Sequence, residues 1–324
     1  MHELSRRTLI GGIALMPGLA VSVGTASAQA WPSRPLRMIV PFAPGGSPDV
    51  IARLVGEGLS RELGQSVVIE NRAGAGGNIA AEYVLSQPAD GYTLFFGTSG
   101  NMATNKSLYR NLRFDPEVDF TPISLTYVSS NVLIVSPASG INSIADLVAE
   151  AKRRPGALSF GSPGVGTAGH LVGELFKHRT GIELTHVPYR GQSQVVSDLL
   201  AGTLTMSFEA VATAIPVVRA GQVRGLAITT RQRVPQLPEV PTFDEAGIGD
   251  FDMQAWAVLA VKTGTAPEIL RTLNAAVVKV VDAPAVRDRI NGMGVLARTS
   301  SLEDARRMLG EEVARWRTIV QIAR

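Results

Sequence analysis

Cysteine is absent from all 324 residues, which removes disulfides, thiolate nucleophiles and Cys-ligated metal at once. Histidine is scarce. Of the four, His2 belongs to the N-terminal segment, and His170, His178 and His186 lack a His or carboxylate neighbour at a spacing typical of metal sites. Gly-x-Ser-x-Gly does not occur, and Gly97-Thr98-Ser99-Gly100 misses its spacing, so the nucleophile elbow of an α/β hydrolase is missing. There is no Walker motif. Aromatics are 6% of the chain and are not interleaved with the basic residues, and the formal net charge is only +3, which leaves no nucleic-acid footprint. The one apolar run near the N-terminus, 9–23, is too short and too Gly-rich to span a membrane. A chain with many neutral donors and few catalytic groups favours binding over turnover, and no cofactor or metal is expected.

At 45% hydrophobic and 18% charged the composition is that of an ordinary globular chain, long enough for about two domains. The first residues stand apart. Ser5-Arg6-Arg7-Thr8-Leu9-Ile10 is a twin-arginine pattern, followed by the mild apolar run and by Ala26-Ser27-Ala28, small residues that suit cleavage. Residues 1–28 therefore read as an export signal of the twin-arginine type. A general secretory signal with a chance Arg pair changes the route but not the destination.

The stretch 39–53 organises the rest of the chain. An apolar run breaks at Pro41, passes through Pro44-Gly45-Gly46 and resumes at helical spacing with Val50, Ile51, Leu54 and Val55, which predicts a strand, a tight loop and a helix. Ser47 is the expected N-cap, Pro48 suits the first helical position, and Asp49 puts a carboxylate where the helix dipole is positive. Strand, Gly-rich loop and helix start is a geometry that holds an anion with neutral donors, although a plain βα turn has the same pattern. A second Gly-rich loop, 71–78, follows a strand over 67–70. A third strand, over 93–97, ends in Thr98-Ser99-Gly100-Asn101. Loops beyond strand carboxyl ends line the crevice of an open parallel sheet, so these three point to one polar cleft.

Further on, 158–161 runs into Ser162-Pro163-Gly164-Val165-Gly166-Thr167-Ala168-Gly169-His170 and a helix, repeating the opening pattern. Gly164-x-Gly166-x-x-Gly169 formally matches the dinucleotide fingerprint. The nearest acidic residue, Glu183, starts its strand instead of ending it, so a dinucleotide site is a poor reading. A strand over 184–187 leads to Pro188-Tyr189-Arg190, and 204–208 leads to Glu209, a carboxylate at a strand's carboxyl end that could receive a ligand ammonium or a donor side chain. A return strand is expected over 251–261, then helices over 267–281, 284–291 and 302–322. Two βαβ lobes crossed twice by the chain describe a cleft with a two-strand hinge: lobe 1 over 29–128 and 251–324, lobe 2 over 129–250.

Taken together, VPFAPGGSPDVIAR, ENRAGAGGNIAA, DGYTLFFGTSG, SFGSPGVGTAGHLVGELF, HVPYRGQSQVVSDLLAG and LPEVPTFDEAG resemble the Bug family, periplasmic substrate-binding proteins of tripartite tricarboxylate transporters. The similarity runs in order along essentially the whole chain after the export signal. It implies a type II periplasmic-binding fold of two α/β lobes, with a small carboxylate held in the cleft mainly by backbone N–H groups and bridging waters. Carried over by position, first-lobe contacts are Phe42, Ala43, Gly45, Gly46, Ser47 and Asp49. The opposite clamp is Ser162, Gly166, Thr167 and Ala168, with Thr98, Tyr189 and Glu209 as side-chain candidates. Where the family often has Thr before the first-loop Asp, this chain has Pro48, which loses a hydroxyl. The expectation is a monomeric periplasmic receptor delivering a mono- or dicarboxylate to a membrane permease. The alternatives are a receptor feeding a sensor kinase and, from another class, a secreted enzyme acting on a carboxylate.

Overall fold

A computed structural model describes residues 31–165, 167–189, 192–249 and 251–322. The expected export signal and Gly166 lie outside them. The opening unit is β1 (Leu36–Val40), α1 (Ser47–Leu63), β2 (Val67–Asn71), α2 (Asn78–Leu85) and β3 (Thr93–Thr98). β1 is parallel to both β2 and β3, and is accordingly an unbroken apolar run apart from Arg37. α1 turns Ile51, Leu54, Val55 and Leu59 into the core and stops at Gly64, whose φ of +66° only glycine adopts freely. β3 runs into a π-helical turn, Gly100–Thr104, then the short helices α3 (Asn105–Leu108) and α4 (Pro116–Asp119), none of which the sequence pattern predicts.

β4 (Phe120–Val135) is a single strand of 16 residues where the sequence shows two apolar runs. Its first part, Phe120 to Ser130, pairs antiparallel with β9 (Gln254–Lys262). From Asn131 its partners change to β7 (Met206–Ala210), and from Val132 to β8 (Arg224–Ile228) as well. Between them come α5 (Ile144–Arg153), β5 (Ser159–Ser162), α6 (Ala168–Thr180), β6 (Thr185–Pro188), α7 (Gln192–Ala201) and α8 (Val211–Arg219). β5 is parallel to β6 and β7. The strand order is β2-β1-β3-β9-β4-β7-β5-β6, with β8 and β10 (Leu296–Ala297) also on β4. The sheet thus has two parallel wings joined along one long antiparallel strand.

One threonine stitches the junction. Asn131 N–H donates to Thr229 Oγ1 at 2.9 Å, and Thr229 Oγ1 donates to Met253 O at 2.6 Å. Backbone bonds from Thr229 N–H to Asn131 O and from Met253 N–H to Thr229 O complete the tie. The closing helices are α9 (Pro267–Asp282), α10 (Pro284–Gly292) and α11 (Leu302–Ile322), close to their expected bounds. α11 docks through Glu312, whose Oε2 accepts the indole N–H groups of Trp256 at 2.9 Å and Trp316 at 3.2 Å. Residues 32–324 form one compact unit, and no described helix is long and apolar enough to cross a membrane.

Candidate ligand-binding site

The first loop follows β1. Ser47 is not the N-cap of α1. That place is taken by Gly46 in an extended conformation, Ser47 is the first helical residue, and no side chain caps the helix. The first intrahelical bond is Val50 N–H to Gly46 O, so the N–H groups of Ser47 and Asp49 have no acceptor within the helix. Ala43, Gly45 and Gly46 are exposed, while Phe42 is half-buried.

Asp49 is 2% exposed and turned inward. Its Oδ2 accepts Gly45 N–H at 2.9 Å and Arg53 Nε at 3.0 Å; Oδ1 accepts Arg53 at 3.0 Å and Asn71 Nδ2 at 2.8 Å. Burial pushes this carboxyl up, but Arg53, Gly45 and Asn71 together outweigh burial and hold it below its ordinary range. The same Asn71 amide donates to Phe42 O at 3.0 Å, so Asp49 and Asn71 fix both ends of the loop.

The three loops of this wing meet. At Gly77 a side chain would lie 2.6 Å from Asn101 Nδ2 and 3.0 Å from Pro41 Cβ, which is why only glycine fits there. Asn105 Nδ2 donates to Gly76 O and Asn78 Oδ1. Thr98 is buried, its N–H donating to Asn101 Oδ1 and its Oγ1 accepting Asn101 Nδ2.

The other wing repeats the pattern after β5. α6 starts at Ala168 with Thr167 as N-cap, again without a side-chain cap. Leu171 N–H to Thr167 O is its first bond, leaving Ala168 N–H outside the ladder. Ser162, fully buried, donates to Gly164 O at 3.0 Å and lies 2.7 Å from His186 Nε2. Thr167 Oγ1 donates back to Gly164 O at 2.7 Å. The ring of His186 lies tilted against that of His170, their centroids 4.2 Å apart. Burial first, and the neighbouring His170 second, bring the His186 imidazole down to about 4, so it is neutral at pH 7.

Tyr189 N–H donates to Ser162 O, and its hydroxyl donates to Asp198 Oδ2 at 2.7 Å. Burial and that carboxylate push the phenol up to about 12. The hydroxyl or carboxylate groups of Asp49, Thr98, Ser162, Thr167 and Tyr189 are therefore all engaged by the protein. Glu209 differs. It is fully buried, Thr213 Oγ1 lies 3.3 Å from its Oε1, and its Oε2 has no partner. Burial pushes its carboxyl up to about 8, against a small lowering by Thr213.

Sequence reasoning missed Arg53, Asn71 and His186 as residues that hold the loops. Arg53 was legible as the i+4 partner of Asp49. Asn71 and His186 act across 22 and 24 residues and leave no local signal. Two cavities, of about 600 and 260 Å³, lie away from these loops, one beside Val218, Arg224 and Pro238 and the other beside Leu175, Asp252 and Ile319.

Residues 51–323 match the family model TctC, the tripartite tricarboxylate transporter family receptor. BugT of Bordetella pertussis is 34% identical over 314 residues, covering 97% of this chain and 95% of BugT. Rpa4515 of R. palustris, solved with adipate, superposes with a TM-score of 0.81 at 38% identity over 90% of this chain and 98% of that one. MatC (Rpa3494) from Rhodopseudomonas palustris, solved with bound malate, gives 0.77 at 30% identity over 90% of this chain and all of that one. These neighbours share the two-lobed type II α/β fold, and the partner switch along β4 is where its two wings meet. With two thirds of its length and more matched by both the family model and its relatives, this chain belongs to the TctC family of tripartite tricarboxylate transporter receptors.

Proposed function

We propose that the chain is an exported receptor that captures a small mono- or dicarboxylate between lobe 1 (29–128 and 251–324) and lobe 2 (129–250) and hands it to a tripartite tricarboxylate-type permease. The observation that carries this reading is the pair of helix starts at α1 and α6. Both follow a Gly-rich loop at a strand's carboxyl end, and at neither does a side chain make a capping hydrogen bond to the helix N–H groups. α5, by contrast, is capped by Ser143, whose side chain accepts Asp146 N–H. N–H groups at helix starts bind an anion without a buried Lys or Arg, through charge-assisted bonds that the helix dipoles favour. In this reading Gly46, Ser47 and Asp49 offer N–H groups from one side and Ala168 from the other, while the N–H groups of Gly45 and Thr167 are spent on Asp49 and on Gly164 O and shape the loops. Phe42 and Ala43 wall the mouth, Asp49, Thr98, Ser162 and Tyr189 hold the loops in shape, and Glu209 stands at the end of β7 in lobe 2. Adipate and malate in the two neighbours support a carboxylate ligand. A ligand that bridges both loops drives closure by its preference for the closed state.

The test is mass spectrometry of whatever mild denaturation releases from the purified protein, followed by calorimetric titration of that compound. An unmodified carboxylate rebinding one per chain is the expected result. A chemically altered product, or no binding across a carboxylate panel, overturns the reading.

A further inference from the structure

Away from the Gly-rich loops, a cavity of about 260 Å³ lies where the chain passes between the wings. Its walls come from four segments remote in sequence: α6 of the second wing, the residues just after β8, those just before β9, and α11, which packs on α3 and the π-helical turn of the first wing. The tie between Thr229 and Met253 borders it. An occupant would therefore touch both wings at once.

The charges around this cavity do not cancel. Arg179 of α6, Arg231 after β8 and Arg315 of α11 all line it, and among the described lining residues Asp252 is their one carboxylate. Asp252 is already spent, since its Oδ1 accepts Gln254 Nε2 at 2.8 Å and its Oδ2 lies 3.3 Å from Arg231 Nε. Glu312, 3.0 Å from Arg315 Nη1, also carries the two indole N–H groups. Two carboxylates thus meet three guanidiniums. Arg231 makes its pair through Nε and Arg315 through Nη1, each a single nitrogen of a fork that bears five donors, so positive charge and donors are both in surplus. An anion supplies what is missing.

The rest of the wall is of another kind. Leu175, Met253 and Ile319 are buried apolar side chains that face the same space. A bare inorganic anion would match the arginines and leave this apolar wall uncovered; a neutral apolar molecule would do the reverse. The volume lies just under the range of roughly 300–1,000 Å³ common for drug-sized ligands, which limits the occupant to a small molecule.

We infer that this junction cavity is a second binding site, separate from the cleft between the Gly-rich loops, for a small organic anion with one acidic head and a short apolar body. The head rests on the arginine forks through charge-assisted hydrogen bonds, and the body lies against Leu175, Met253 and Ile319. Because these groups belong to both wings, the bound anion links them outside the cleft. The site does not depend on the receptor reading.

The experiment is methyl NMR of the purified protein, following Met253 and Ile319 as hexanoate is added, with hexanamide and inorganic phosphate as parallel probes. It is repeated with Arg231→Gln, a residue whose side chain is 72% exposed and whose loss leaves Asp252 its bond from Gln254. Hexanoate should shift both methyl signals along a saturable curve. Hexanamide, which lacks the charge, should not, and phosphate, which lacks the body, should bind at least about tenfold more weakly. Arg231→Gln should weaken hexanoate about tenfold, the size of one charge-assisted bond. Should that variant fail to fold, Arg179→Gln puts the same question from α6. No shift at either methyl, an equal response to hexanamide, phosphate binding as tightly as hexanoate, or unchanged hexanoate affinity in the arginine variant overturns the inference. The receptor reading stands on the released ligand and is untouched by each of these outcomes.

Discussion

The two strand–loop–helix units look alike in sequence but hold their loops by different chemistry. In lobe 1 an ion does it: Asp49 gathers Gly45 N–H, Arg53 and Asn71 around one buried carboxylate. In lobe 2 neutral groups do it: Ser162, Thr167 and a neutral His186 converge on the loop around Gly164. The difference lies in how each answers to pH. Asp49 is held below its ordinary range, so its contribution is present above about pH 4 and is lost only as pH falls through that lowered value. The second wing carries large shifts of both signs, so below neutrality the loss at His186 runs against a gain at Glu209, and above neutrality Glu209 alone costs stability.

The largest effect should come from Glu209. Its folded value is raised above the ordinary 4.5, so its stabilising share is complete below pH 4.5 and is lost as pH rises to about 8. Glu209→Gln removes that dependence. In thermal melts it should gain on the wild type steadily from pH 5 to pH 8, by of order 3 kcal/mol at the upper end, with a parallel course above. Equal slopes would mean that the carboxyl is paired in solution.

Next is Gly169→Ala. Its new Cβ would lie 2.9 Å from Phe208 O, a backbone atom that cannot turn aside, so α6 must lift from β7 at a cost of about 2–3 kcal/mol, read by denaturant titration. Asp49→Ala should cost about 2 kcal/mol, since it leaves Gly45 N–H and Asn71 Nδ2 without their acceptor, and it should weaken carboxylate binding more than it lowers the melting point.

The His186 share runs the opposite way to that of Glu209. Its folded value is depressed, so the stabilisation is present above pH 6.5 and is lost as pH falls toward 4. His186→Gln should flatten the acid side of the stability profile, followed by circular dichroism from pH 7 to pH 4, and a wild-type profile flat over that range would remove the contrast between the wings. The smallest change in stability should follow Gly46→Ala, whose Cβ would meet only Pro48 at 3.8 Å. The melting point should hardly move, while calorimetric affinity for a carboxylate falls as the methyl crowds the helix start. Unchanged affinity would place the ligand elsewhere.

Much of the fold was legible from periodicity. β1, the start of α1, β3 and the three closing helices stand within a residue or so of where apolar spacing put them. The errors have local causes. Ser47 has the chemistry of an N-cap, yet the loop already turns at Gly46, so the helix begins one residue early. β4 appears as two runs because Ser129, Ser130 and Asn131 interrupt its apolar pattern, and those polar residues mark the place where the strand changes partners. α8 was not anticipated, for Pro216 within it reads as a breaker.

The sequence by itself determined which segments become strands and helices, that two Gly-rich loops precede helix starts, and which family the chain resembles, because spacing and turn chemistry act over a few residues. Only the tertiary structure decided which side chains are spent. Asp49 turns inward because Asn71, 22 residues away, and Arg53 meet it there; Ser162 is claimed by His186 across a parallel strand pair; Oε2 of Glu209 is left without a partner because strands and helices remote in sequence exclude water and bring no cation. Desolvation and pairing depend on what the whole chain brings within a few ångströms, and that is not written in any local stretch of residues.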